Sequence, residues 1–315
     1  MSAKKKLSEI ELKIKNYQKP EINHAFQKSV SYSQFSMWAS CPHKWYLTYV
    51  ENKQPYQASI HTVFGTAFHE TIQDYITVMY NESGAAADRM DLIGLFQDKF
   101  REVYSKEYKA AGAHFSDPVQ MGEFFEDAIA ILNFIQKNRN KLFTIRKMRL
   151  LGIEIPLLLN VANNIFLKGF IDFVLYDEEL DKVYIYDIKT STRGWSDSEK
   201  KDDNKIAQIL LYKEYFSKQF GFDVEKIEVE YFIVKRKIWE QSEYAIPRTQ
   251  SFKPASGKNK RKQAVENFQS FIKDCFDDSG KPQMKSYLKN VGESSCKWCP
   301  YKDSPDLCDK VAGSM

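Results

Sequence analysis

Between residues 62 and 80 apolar side chains return every three to four positions, and Phe64, Phe68, Ile72, Tyr75 and Met79 form one stripe. That period predicts an amphipathic helix with a single buried face, ended by Ser83-Gly84. Upstream, Ser33 is placed to cap a helix carrying Phe35, Trp38 and Ala39, which Pro42 breaks or restarts. Helical spacing resumes from about 90 to 110 and from 119 to 145, parted by the turn from Gly112 to Pro118. The period then changes to that of strands over residues 150 to 159, 165 to 176, 182 to 189 and 226 to 236, with a helix expected from about 204 to 219. The middle of the chain thus reads strand, strand, strand, helix, strand, an α/β pattern. Residues 1 to 29 are polar and lysine-rich and read as an arm or a loosely docked helix. Residues 253 to 262, with five positive charges and no negative one, read as a flexible basic loop, followed by a helix to about 277 and a loop-rich tail.

Composition narrows the class. The chain has 315 residues, 43% hydrophobic and 28% charged, ample for a buried core and unlike a disordered or fibrous protein. Length alone predicts two domains, or one large α/β domain with appendages. Apolar runs fall short of the ~18 residues of a membrane span, and Met1-Ser2-Ala3-Lys4-Lys5-Lys6 lacks the apolar stretch of a signal peptide. A soluble, cytoplasmic protein with no membrane partner is expected. Against 42 Asp and Glu stand 46 Lys and Arg, a net charge of +4 that by itself does not argue for nucleic acid. Five cysteines are too few for a secreted disulfide scaffold, and odd in number, so their spacing carries the information.

Two carboxylates stand out in the strands. Gly169-Phe170-Ile171-Asp172 and Asp187-Ile188-Lys189 flank the acidic turn Asp177-Glu178-Glu179-Leu180-Asp181. With 177 facing 182, counting outward sets Asp172 opposite Asp187, on one face and with Cβ atoms ~5 Å apart. Like charges so placed need a cation between them. Lys189 points to the same face as Asp187, because strand side chains alternate, yet its long stem leaves room for a divalent ion. Hard oxygen donors favour Mg²⁺ or Mn²⁺ over zinc. The bland alternative is a pair of solvated carboxylates beside a hairpin. Phe170, Ile171, Phe173, Val174, Val183, Ile185 and Ile188 make both strand faces apolar, however, and an unpaired charge there is costly.

His69 follows Gly65 by four positions on the amphipathic helix, and taken alone it reads as a satisfied boundary histidine. Gln208 and Tyr212 lie four apart on the later helix, with Lys205 and Tyr215 on the same face, which could equally be packing. Together, however, Gly65-(x)3-His69, Gly169-(x)2-Asp172, Asp187-Ile188-Lys189 and Gln208-(x)3-Tyr212 resemble, in order and in secondary structure, the motifs of the PD-(D/E)xK nuclease superfamily. More narrowly the set is similar to its RecB-like branch, including AddB-type and CRISPR-associated RecB-like exonucleases. The likeness spans roughly residues 31 to 310.

The resemblance implies a restriction-endonuclease-like core, a mixed central sheet flanked by helices, with a helical N-terminal segment and a cysteine-rich C-terminal tail. Boundaries follow: 1–29 a basic flexible arm, 30–60 an N-terminal helical segment with Cys41, 61–250 the nuclease core, and 251–315 the basic loop, helix and tail closing onto the N-terminal segment. It also implies that His69, Asp172 and Asp187 hold the metal with the Ile188 carbonyl, that Lys189 orients or deprotonates the attacking water, and that Gln208 and Tyr212 shape the site and contact DNA. Glu154 is a further ligand candidate, direct or through water. Such a site would counter the charge that shields a phosphodiester and let water attack in line.

Cys296-Lys297-Trp298-Cys299 and Cys308 give C-x2-C-x8-C in the tail, and Cys41-Pro42 lies far upstream. The C-x2-C pair is a metal clip short of two ligands. Cys308 and Cys41 supply them, and Cys41 with the text to Leu47 is similar to the iron–sulfur members of the same branch, which implies a [4Fe–4S] cluster. The x8 spacing departs from that pattern. Zinc on the same thiolates, or with His43 in place of Cys41, is the competing reading. Cys275 reads as packing.

Basic groups at Arg146-Lys147-Arg149, at Lys235, Arg236 and Lys237, and at Lys258, Lys260, Arg261 and Lys262 read either as solvated faces or as contacts to DNA. Trp195 reads either as a platform for an unpaired base or as core. No G-x-x-x-x-G-K-[ST] loop occurs, so a stand-alone nuclease, or the nuclease subunit of an assembly with a recombination or helicase partner protein, is expected. The leading expectation is a metal-dependent DNA exonuclease acting at a free end or single-stranded region. A structure-specific endonuclease and a catalytically silent DNA-binding subunit are the alternatives.

Overall fold

The structure, a computed structural model, describes residues 8–24, 27–53, 58–144, 146–162, 164–239 and 241–310. Lys4, Lys5 and Lys6 of the expected arm lie outside them. In chain order the elements are α1 (Glu9–Lys15), β1 (Lys28–Val30), α2 (Tyr32–Ser40), α3 (Pro42–Tyr49), α4 (Ile60–Asn81), α5 (Gly84–Ala87), α6 (Leu92–Ala111), α7 (Pro118–Leu142), β2 (Met148–Ala162), β3 (Ile165–Asp177), β4 (Lys182–Ser191), α8 (Asp197–Lys200), α9 (Asp203–Phe220), a 3₁₀ turn at Val224–Lys226, β5 (Ile227–Lys235), β6 (Thr249–Phe252), α10 (Lys258–Cys275) and α11 (Glu293–Cys296).

Local chemistry accounts for the helices that carry the site. Ser59 caps α4 by accepting from the His61 amide, and the helix buries Phe64, Phe68, Ile72, Tyr75 and Met79 as the periodicity predicts. Each such side chain taken out of water contributes roughly 1.5–3 kcal/mol. Asp202 caps α9 by accepting from the Asn204 and Lys205 amides, and Gly221 ends it in the left-handed region at φ 61°.

Among the described residues the sheet has six strands, in the order β1-β3-β4-β5-β6, with β2 also on β3. β1 with β3 and β4 with β5 are parallel, and the other pairs are antiparallel, so the sheet is mixed. One face is covered by α2, α9 and α10, the other by α4, α6 and α7. β2 occupies one edge of β3 from end to end. On the opposite edge β4 pairs with Phe173 to Asp177 and β1 with Ile165 to Leu167, which leaves residues 168–172 without a strand neighbour there. Asp172 lies at that gap.

Two expectations change. Asp177 pairs with Lys182 and the register holds to Phe173 opposite Tyr186, but the ladder stops one step before Asp172 meets Asp187. Residues 258–262 are not loop. They form the first turn of α10, because the helical face that buries Ala264, Phe268, Phe271 and Ile272 extends back to Arg261, and Gly257 begins the helix. Of the expected arm, α1 is a helix with Ile10 buried.

Candidate active site

Alternation fails at the same level in two neighbouring strands. In β3, Ile171 packs on the α9 side, whereas Phe173 and Leu175 pack on the α4 side. In β2, Ile155 and Leu157 face α9 while Ile153 faces α4. Glu154 and Asp172 are the residues at which the faces switch, and Glu154 has φ 50°. A non-glycine residue held there costs about 1 kcal/mol or more, and such positions concentrate at functional sites.

The switch turns both carboxylates toward α4. His69 Nε2 lies 2.8 Å from Asp172 Oδ2 and Nδ1 lies 3.7 Å from Glu154 Oε1. His69, Glu154 and Asp172 each offer a donor atom within 4.8 Å of the others. Burial works against a protonated His69, but the Asp172 hydrogen bond and the charges of Asp172, Glu154 and Asp187 outweigh it and hold the imidazole above its ordinary value. Where the β3–β4 ladder stops, the Ile188 amide donates to Asp172 Oδ2 at 2.5 Å, so β4 backbone stands beside the carboxylate.

Asp187 sits deeper, 1% exposed. Burial pushes its carboxyl up; Lys189 opposes this and the Asp172 charge adds to it. Lys189 Nζ is 2.7 Å from Asp187 Oδ2, yet that oxygen accepts no hydrogen bond of good direction. The ammonium donates instead to Gln208 Oε1 at 2.8 Å, and Gln208 Nε2 donates to the Tyr212 hydroxyl at 3.0 Å. Asp187, Lys189, Gln208 and Tyr212 therefore form one chain across the β4–α9 contact. Burial and the Asp187 charge push the Tyr212 phenol well up, which keeps it neutral.

Both motif glycines are explained by close approach. A Cβ at Gly169 would stand 3.1 Å from the Tyr212 ring, and one at Gly65 would stand 3.2 Å from Thr190 Oγ1. Clefts open on two sides of the carboxylates: one of about 530 Å³ onto His69, Gln73, Glu154, Ile188 and Lys189, the other of about 450 Å³ onto Glu154, Asp172, Gln208 and Tyr212. Gln73 went unread in the sequence. It is 6% exposed, four residues beyond His69, and its amide donates to Glu154 Oε1 at 2.6 Å and to the Asp172 carbonyl at 3.3 Å. The i, i+4 spacing from His69 was its available signal.

Several basic residues expected at DNA are committed elsewhere. Arg236 is buried, 2.7 Å from Asp127 and 3.1 Å from Glu123, with its guanidinium 3.9 Å from the Phe124 ring centre. Lys237 pairs with the same two acids. Arg261 is buried against Glu225 and Glu214. Lys260 pairs with Asp203 and Lys262 with Glu266, while Lys258 is exposed at the start of α10. Lys147 and Arg149 are absorbed by Glu179, Glu178 and Glu11. Trp195 packs on Tyr231 and Phe252, so its core alternative is the one observed.

Cys41, Cys296, Cys299 and Cys308 lie where α2 and α3 meet residues 288–308. Cys41 joins α2 to α3, and the His43 amide donates to the Leu288 carbonyl at 3.1 Å. Asn290 donates to the Ser40 carbonyl at 2.8 Å, and Thr48 bonds Tyr301 at 2.9 Å. Burial raises the Cys299 thiol, the Tyr301 backbone and the Lys44 charge lower it, and the charges of Cys41 and Cys308 add to the rise. The Cys299 amide donates to the Cys296 carbonyl at 3.1 Å. All four thiols are free and half-buried, and among the described residues no three come within 4.8 Å of one another. His43 Nε2 is taken by the Leu307 carbonyl at 2.8 Å, which weighs against His43 as a ligand in place of Cys41. Cys275 is fully buried in the core.

Comparison with known proteins adds one family. A profile of the PD-(D/E)XK nuclease superfamily matches residues 29–304. No curated protein matches the chain. Among solved structures, that titled "Crystal structure of SSO0001" aligns with 12% identity and a TM-score of 0.29, covering 88% of this chain and 96% of that one.

Proposed function

Because this chain belongs to the PD-(D/E)XK nuclease superfamily, whose members are metal-dependent nucleases, we propose that it is a Mg²⁺- or Mn²⁺-dependent DNA exonuclease of the RecB-like branch, serving DNA processing, repair or recombination. The exonuclease and branch assignments rest on the ordered motifs from Gly65 to Tyr212. The observation that carries the site is the convergence of His69, Glu154 and Asp172 on one point, with the Asp187–Lys189–Gln208–Tyr212 chain beside it.

The donor set fits a hard divalent ion. Two carboxylates, Glu154 and Asp172, meet the His69 imidazole beside the β3–β4 gap, and the Oδ2 of the buried third carboxylate, Asp187, lacks a hydrogen bond. His69, Glu154, Asp172 and Asp187 would hold the ion, with the Ile188 carbonyl, and when bound it neutralises phosphate charge and acidifies water. Lys189 keeps its ammonium over the site because Gln208 and Asp187 fix it from two sides, and that charge stabilises the negative transition state. Tyr212 holds the Gln208 amide in the orientation that presents Oε1 to Lys189. The four thiols at the meeting of the chain ends suit a [4Fe–4S] cluster with a structural role.

Labelled linear and closed circular DNA with Mn²⁺ tests this. Wild type should shorten linear DNA and spare circles. Lys189→Ala should lose at least ~100-fold in rate, a typical size for one lost charge-stabilising donor. Nicked or linearised circles would move the assignment to an endonuclease, and no cleavage by wild type would overturn the enzyme.

A further inference from the structure

Beyond the clefts at His69 lies another cavity of about 430 Å³, lined by Arg193, Lys235, Lys237, Ile238, Trp239 and Ile246. Topology sets its place. β4 and β5 run parallel, Ser191 pairs with Lys235, and both strands end there together. The Arg236 amide then donates to the Ser191 carbonyl at 2.9 Å and the Lys237 amide to Thr192 at 2.7 Å, which holds the two exits side by side. Gly194, at φ 89°, turns the chain past Lys235; a Cβ there would meet the Lys235 stem at 3.0 Å. Lys189 and Arg193 are four residues apart, so the cavity lies within ~14 Å of chain from the proposed catalytic lysine.

The lining is chemically unspent. Lys237 is neutralised by Glu123 and Asp127, but among the described residues Arg193 and Lys235 have no acidic partner. Trp239 is 68% exposed, and no aromatic ring of the described residues packs on it. An aromatic face, two isoleucines and two unneutralised cations in one recess match a nucleobase with its phosphate.

We propose that this pocket binds an unpaired nucleotide of the DNA strand entering the active site. The base lies on Trp239 between Ile238 and Ile246, and Arg193 and Lys235 hold the adjoining phosphate. The inference rests on the nuclease reading of the neighbouring site and deepens it: a base can offer its face to Trp239 only when it is out of a duplex, so the strand is single at this point.

The test is binding of a short labelled single strand, and of its duplex, by the full-length protein in EDTA over a range of salt, with cleavage in Mn²⁺ measured in parallel. Single strand should bind more tightly than duplex and quench tryptophan emission. Trp239→Ala should weaken single-strand binding at least ~5-fold and Trp239→Phe should restore most of it. Arg193→Gln should reduce the salt slope by about 0.7, the share of one single-strand phosphate. Arg193 and Trp239 are exposed, and melting temperatures equal to wild type confirm intact variants. Absent single-strand binding, equal binding of duplex, or indifference to both positions would overturn the pocket. Cleavage that persists with such indifference would leave the nuclease reading standing, whereas Trp239-dependent binding without cleavage would sink that reading and keep the pocket.

Discussion

Gln73 shows how a neutral side chain controls a charged site. It touches Glu154 and the backbone of Asp172 at once, from a helix turn that also carries His69. Because Glu154 is nearly half-exposed and its backbone is in an unfavourable region, little else holds its carboxylate in place. Gln73→Leu fills similar space without the amide. It should weaken Mn²⁺ binding by about 10- to 100-fold in a calorimetric titration while leaving the fold intact; unchanged affinity would show that Gln73 only packs. That His69 lies beside Asp172, and that Asp187, Lys189, Gln208 and Tyr212 lie along one chain, was legible from the order of their motifs. Gln73 carries no charge to draw attention, and the switch of faces at Glu154 lies in a φ angle that no residue type announces. The acidic partners of Arg236 and Arg261 were hidden for a different reason. The acids that neutralise Arg236, Glu123 and Asp127, belong to another helix more than 100 positions away, and Glu225, which pairs with Arg261, is 36 positions away, so a local charge count sees only the cations.

At the level of elements, α4 must be held still if His69 is to stay aimed. Part of that support comes from Asp88, just after α5, whose carboxylate accepts three bonds from Arg139 of α7 and one from Tyr75 of α4. The Arg139 bonds hold the Asp88 carboxyl below the usual range despite some desolvation, with Tyr75 helping. A lowered folded pKa means that the contribution is present above about pH 4, the unfolded value, and disappears as pH falls through the folded one. Solvent around Asp88 keeps it small. Arg139→Ala should cost about 1 kcal/mol in urea denaturation at neutral pH, and the gap from wild type should close in strong acid; a gap that stayed constant with pH would assign the loss to packing. Long elements such as α4, α6, α7 and β2 to β5 were legible from periodicity. β1 and β6, three and four residues long, are too short to show a period, and their pairing depends on the neighbour they meet. The first turn of α10 was hidden by its lysines.

For the molecule as a whole, the meeting of the chain ends is the dominant feature. Trp45, 1% exposed, packs on Phe271, Phe276 and Tyr287 with ring centres 5.8, 5.8 and 5.5 Å away. If the proposed cluster completes this closure, anaerobically purified protein should be coloured and contain iron. Cys41→Ser should lose both colour and iron and melt at a lower temperature, whereas Cys275→Ser should keep its iron, because Cys275 sits in the core. A colourless wild type that contains zinc would reject the cluster. This closure was only partly legible: spacing grouped the cysteines, but the hydrogen bonds of Ser40, His43 and Thr48 to the tail join residues about 250 positions apart.

That separation also sets a clock. At synthesis rates of about 5–20 residues per second, Cys41 and the Trp45 surface leave the ribosome roughly 10–50 s before the tail that covers them. The sheet and its carboxylates, complete by Phe252, are made well before the clasp. The nascent chain thus spends part of its birth with its central strands in place and α2 and α3 unfastened, until residues 288–307 emerge and close over them.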